Sequence, residues 1–123
     1  MAYATPRKRA VGLGSARSGT EHHWQMTISS YALLILTPLF LIAWGPALGM
    51  SYEAVLERFA RPFPAIVTGL MLVVGLQHFR QGVQTAIEDY SGGMTRHWLI
   101  IGAACLSYAA MAVGLFALIR LAL

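Results

Sequence analysis

Three stretches of the chain stay apolar for about the width of a bilayer, and polar residues collect between them. The first runs from about Met26 to Leu48 and contains no charged residue. The second runs from Phe63 to about Ala86, and the third from about Trp98 to Leu118. Some 20 helical residues cross the ~30 Å hydrocarbon core. Each stretch therefore predicts one transmembrane helix. Residues 1–25 are polar, basic and glycine-rich, and they predict a tail ahead of an anchor domain spanning 26–123. The tail shows no short apolar run followed by a small-residue cleavage site, so no cleavable signal peptide is expected before the first span.

Local breakers refine this plan. Pro38 falls near the middle of the first span, where it removes a backbone donor. Trp44, Gly45 and Pro46 mark the far interface. Tyr52, Val55, Leu56 and Phe59 then recur at helical spacing between Ser51, a plausible N-cap, and Pro62, a stop. A short helix lying on the membrane surface is expected there. The apolar portion of the second span ends near Phe79, and Arg80, Gln81, Gln84, Glu88 and Asp89 follow before Gly92-Gly93 closes the helix. Polar residues must therefore enter the final third of that span, and they should face protein rather than lipid. In the third span Ala103, Ser107, Ala110, Gly114 and Ala117 form a stripe of small residues. Small side chains let helix backbones approach closely, so the stripe predicts a packing face. The expected fold class is an all-α membrane protein with three transmembrane helices plus a short interfacial helix.

Composition agrees. Hydrophobic residues make up 57% of the 123 positions and charged residues 11%, against about 25% charged in soluble domains; mean hydropathy is +0.60. A soluble core of this size could not hide that much apolar surface. The net charge of +4 could suggest nucleic acid, but Arg7, Lys8, Arg9 and Arg17 precede the first span and the other cations flank span ends. That is the distribution of topology signals and lipid-headgroup contacts, and no nucleic acid partner is expected. Arg7, Lys8, Arg9, Arg17, Arg80 and Arg96 lie toward one side, against Arg58, Arg61 and Arg120 on the other. Six cations against three predict a cytoplasmic amino terminus and a periplasmic carboxyl terminus. The single cysteine, Cys105, lies in an apolar run; it excludes an intrachain disulfide and reads as a small core hydrophobe. Gly12-Leu13-Gly14-Ser15-Ala16 lacks the Gly-Lys-Ser/Thr ending of a phosphate loop.

The chemistry concentrates on the second span. His78 is the histidine inside a span, ~22 Å along the axis from Phe63. Gly75 and Gly82 sit three residues before and four after it, on nearly the same face. That spacing leaves a flat gap beside the imidazole, which suits a porphyrin ring around an axial histidine. An interhelical hydrogen bond from the same imidazole is the competing reading. Asp89 lies ~20° from the same face and ~16 Å further along the helix. A carboxylate there faces the negative end of the helix dipole, with Glu88 adding like charge, so something beyond local helix physics should hold it. Tyr90 alone would be an ordinary member of an interfacial aromatic belt. With Asp89 and His78 in line, a polar site at the membrane–water boundary is the stronger reading.

These residues carry a resemblance. His78-x-x-x-Gly82, followed after six residues by Asp89-Tyr90 near the end of the second of three spans, resembles the hydrophobic anchor subunit (D type) of succinate dehydrogenase. Gly12-Leu13-Gly14-Ser15-Ala16 and Gly19-Thr20-Glu21-His22-His23-Trp24 are similar to the pre-span segment of α-proteobacterial anchors. The resemblance implies half of a heterodimeric anchor bundle in the bacterial inner membrane. It implies that His78 is an axial ligand of haem b, the second ligand coming from a cytochrome b anchor subunit, with Gly75 and Gly82 packing beside the ring. Tyr90 and Asp89 would belong to a ubiquinone-reduction site, Tyr90 bonding a quinone carbonyl and Asp89 organising proton supply. An iron–sulfur subunit and a flavoprotein subunit complete the implied complex, which passes electrons from succinate to quinone. Where many relatives carry an arginine after the tryptophan, this chain has Gln25-Met26-Thr27-Ile28; His22, His23 and Arg80 are the candidates to replace it. A fumarate reductase anchor and a small transporter subunit using His78 and Asp89 as a proton relay are the alternatives.

Overall fold

The structure, a computed structural model, describes residues 5–11 and 19–122. The stretch Gly12 to Ala16 lies outside the described residues. The helices are α1 (Pro6–Val11), α2 (Gly19–Trp44), α3 (Tyr52–Phe59), α4 (Pro62–Tyr90) and α5 (Gly93–Ala122), with one 3-10 turn, Gly45–Ala47, after α2. Among the described residues three helices are long and apolar enough to cross a membrane: α2 with its following turn, α4 and α5. The three expected spans are present, but each helix outlasts its apolar run. α2 begins at Gly19, well before Met26, and α4 continues through the polar stretch to Tyr90. No proline interrupts those flanks, and a lone glycine such as Gly82 does not break a helix, so the hydrogen-bond ladder continues into them. Ser91 and Gly92 alone separate α4 from α5, and Gly93 takes the left-handed φ of +59° that this tight reversal needs.

α4 is the middle of a row. It packs against α2 on one side and α5 on the other, while no Cα of α2 comes within 8 Å of one in α5. A row of three helices has almost no interior. Among the described residues, Ala43, Ala47, Phe59, Pro64 and Val67 are buried without polar side chains, and Ser29, Gln81 and Ser107 are the buried polar ones. Polar residues at helix–helix seams are what lipid demands, since hydrocarbon offers them no hydrogen bonds.

The α3 end is locked by aromatic packing and a cap. Ser51 is the N-cap of α3, its side chain accepting from Ala54 N–H at 3.4 Å. Phe59 is fully buried against Trp44, ring centroids 4.8 Å apart, and such a burial contributes about 1.5–3 kcal/mol. Trp44 Nε1–H donates to Thr68 Oγ1 of α4 at 2.8 Å, which satisfies the indole N–H inside the seam. Arg58 donates from Nε to the Ala43 carbonyl at 2.8 Å and from Nη2 to Ile42 at 3.2 Å. Its guanidinium thereby covers the orphan carbonyls and negative dipole end of α2.

The α4–α5 seam uses small residues, with a shift from the expected stripe. Gly114 receives Leu72 and Gly69 receives Leu118, and Ser107 is buried with its hydroxyl donating to Ala103 O at 2.8 Å. Ala110 and Ala117 are exposed, however, while Met111 and Leu118 are partly covered. Ala110 and Ala117 lie ~60° and ~80° around the helix from Ser107, past the rim of the contact. Cys105 is also a correction: it is exposed, because ~160° separates it from Ser107.

Candidate functional site

The antiparallel pairing of α2 and α4 brings residues far apart in sequence onto one level. His78, half-buried on α4, meets Ser29 of α2, with Nδ1 2.8 Å from Oγ. The same Oγ lies 2.9 Å from the Met26 carbonyl, which also accepts from Ser30 Oγ at 2.8 Å. Nε2 of His78 makes no hydrogen bond to any described residue and is not sealed inside the chain. The ring thus serves as an interhelical link through one nitrogen and keeps the other open.

One turn along, Gln81 is 1% exposed and its Nε2 donates to Gln25 Oε1 at 3.0 Å. Gln81 Oε1 is buried without a partner among the described residues. Gln25, Ser29, Gln77 and Gln81 with Ile28, Ala32, Val73 and Val74 line a groove of about 390 Å³ between the two helices.

The two glycines flanking His78 differ. A Cβ at Gly75 would meet nothing within 4 Å, and Gly75 lines a second groove of about 340 Å³ with Phe40, Trp44 and Thr68. A Cβ at Gly82 would lie 3.6 Å from Met26 Cε. The flat gap expected on both sides of His78 is therefore open on the Gly75 side and filled by α2 on the Gly82 side.

At the end of α4 the acidic pair divides. Glu88 accepts from Gln84 Nε2 at 3.0 Å and lies 3.8 Å from Arg96 Nη2 at the start of α5. Asp89 is exposed and has no ion-pair or hydrogen-bond partner among the described residues, and Tyr90 beside it is 91% exposed. Neither touches His78. The cation at this end, Arg96, thus belongs to Glu88. Arg80 turns to α5, its guanidinium carbon 5.6 Å from the Tyr108 ring centroid, in cation–π range. His22 Nε2 and Arg80 Nε are buried without partners among the described residues, whereas His23 is exposed.

A b-type haem asks of one chain an imidazole nitrogen and an unfilled face beside it. His78 Nε2 and the open side at Gly75 meet both requirements. No group of three or more His, Cys, Asp and Glu forms among the described residues.

Over residues 1–119 the chain matches the succinate dehydrogenase/fumarate reductase transmembrane subunits. It belongs to that family. It is also 49% identical over 123 residues to the succinate dehydrogenase hydrophobic membrane anchor subunit of Paracoccus denitrificans, covering all of this chain and 95% of that relative. No solved structure matches it. Family membership accords with the three apolar helices: this is a multi-pass membrane protein. For a succinate dehydrogenase/fumarate reductase transmembrane subunit, a row of helices open on both faces leaves broad surface for neighbouring subunits. Sequence reasoning singled out His78 but missed Ser29 and the Gln25–Gln81 pair. A serine in an apolar run carries no signal of its own, and its partner lies 49 residues away.

Proposed function

We propose that this chain is the hydrophobic membrane anchor subunit of a succinate:quinone oxidoreductase. Its full-length relation to the Paracoccus denitrificans anchor carries the reading. The chain sits in the bacterial inner membrane with its amino terminus in the cytoplasm. It holds an iron–sulfur subunit and a flavoprotein subunit at the membrane and pairs with a cytochrome b anchor subunit. It binds no dicarboxylate itself.

His78 would hold haem b through Nε2, with Gly75 leaving space beside it and Gly82 keeping α2 close. When bound, haem would supply a one-electron store for quinone reduction. Tyr90 and Asp89 form this chain's share of that site. Reduction of ubiquinone to quinol takes two electrons and two protons. A phenol at the helix end donates a hydrogen bond to a quinone carbonyl, and the unpaired carboxylate of Asp89 passes protons from the aqueous side. The exposure of both groups and the lack of a partner for Asp89 among the described residues support this reading.

The test is the reduced-minus-oxidised spectrum of the purified complex carrying this chain. A b-type absorbance that His78→Ala abolishes is expected; an unchanged haem content and midpoint potential in that variant refutes the ligand assignment. The family also includes fumarate reductase subunits, and turnover with menaquinone and ubiquinone analogues distinguishes the direction of the reaction.

A further inference from the structure

A serine hydroxyl holds one proton, and Ser29 Oγ has two partners in reach: Met26 O at 2.9 Å and His78 Nδ1 at 2.8 Å. A neutral imidazole likewise holds one ring proton, on either nitrogen. Two arrangements are open to this pair. In the first, Ser29 donates to Nδ1 and the ring proton sits on Nε2, where no described residue offers an acceptor. An N–H without an acceptor is costly inside a bilayer. In the second, Ser29 donates back to the Met26 carbonyl and its Oγ accepts Nδ1–H. Every proton then has an acceptor, and Nε2 carries a bare lone pair with no partner among the described residues.

We propose that Ser29 is a positioning residue that holds His78 as the Nδ1–H tautomer and presents its Nε2 lone pair as a ligand to haem iron. The inference rests on the reading of His78 given above. Ser29 is buried, at 9% exposure, and sits on α2 while His78 sits on α4. The bond therefore ties the ring's rotation to the packing of two helices and is shielded from competing donors. An acceptor on Nδ1–H also makes the imidazole a stronger electron donor through Nε2, which favours the ferric state.

The experiment compares Ser29→Ala, Ser29→Cys, Ser29→Thr and His78→Ala in the purified complex. Haem content, midpoint potential and the low-spin ferric EPR signal are measured, with subunit stoichiometry as the assembly check. Ser29→Ala is expected to loosen haem binding by about 10- to 100-fold, move the midpoint positive and alter the EPR signal as the ring plane is released. Ser29→Thr, which keeps the hydroxyl, restores all three. Ser29→Cys keeps the volume with a weaker acceptor and gives a smaller positive shift; it decides the matter if the alanine variant fails to assemble. Native potential and EPR in Ser29→Ala, or in Ser29→Cys where that variant decides, overturn the role of Ser29. So do equal changes in the alanine and threonine variants. If His78→Ala meanwhile strips the haem, the ligand reading survives that failure; if it retains haem at the native potential, the ligand reading fails as well.

Discussion

Leu72 of α4 lies so close to Gly114 of α5 that a Cβ at position 114 would stand 2.8 Å from its Cδ2 and 3.0 Å from its Cδ1. The α4–α5 seam therefore has a glycine-deep notch filled by a leucine. Gly114→Val is expected to destabilise the chain by about 1–3 kcal/mol through overpacking, with Gly114→Ala milder because the leucine end can turn aside. Gly102, where a Cβ meets nothing within 4 Å, is the control: Gly102→Ala should be neutral or stabilising. Thermal unfolding of the purified complex in detergent measures both, and equal losses at 102 and 114 would contradict the notch.

Phe59 is the fully buried aromatic that fastens α3 beneath Trp44. Phe59→Ala should cost about 3–5 kcal/mol, read as a lowered midpoint in the same melt. Arg58→Ala should cost less, because water at the helix end can take over the carbonyls of Ile42 and Ala43. An Arg58 effect larger than that of Phe59 would mean that charge, not packing, holds this end.

Within this chain Tyr90 has no packing role to lose, being 91% exposed at the end of α4. Tyr90→Phe is expected to depress quinone-coupled turnover several-fold while succinate oxidation with an artificial acceptor stays near native. Equal loss in both assays would show an assembly defect instead of a quinone contact.

Gly75 faces open space within this chain. Gly75→Leu should leave the isolated helix packing undisturbed and yet lower the haem content of the complex, because the added side chain occupies the space beside His78. Haem content equal to the wild type would place the haem ring away from that side.

Much of this architecture is legible in one dimension. Bilayer thickness sets a length that an apolar run either meets or misses, so three spans could be read from hydropathy alone. Ser51 and Pro62 bracketed α3 for a similarly local reason, since capping and chain breaking act within one turn. His78, Asp89 and Tyr90 stood out because lipid makes a polar residue in or beside a span conspicuous.

Side-chain partnership was not legible. The acidic pair at the end of α4 looked like one unit, yet Arg96 engages Glu88 and leaves Asp89 alone. The stripe on α5 looked continuous, yet the contact centres on Ser107 and turns Ala110 away. Rotation about a helix axis and register between helices depend on how bulky and small residues interlock across a seam. Hydropathy along one helix carries no record of its neighbour, and so the pairing of Ser29 with His78 exists only once α2 lies antiparallel against α4.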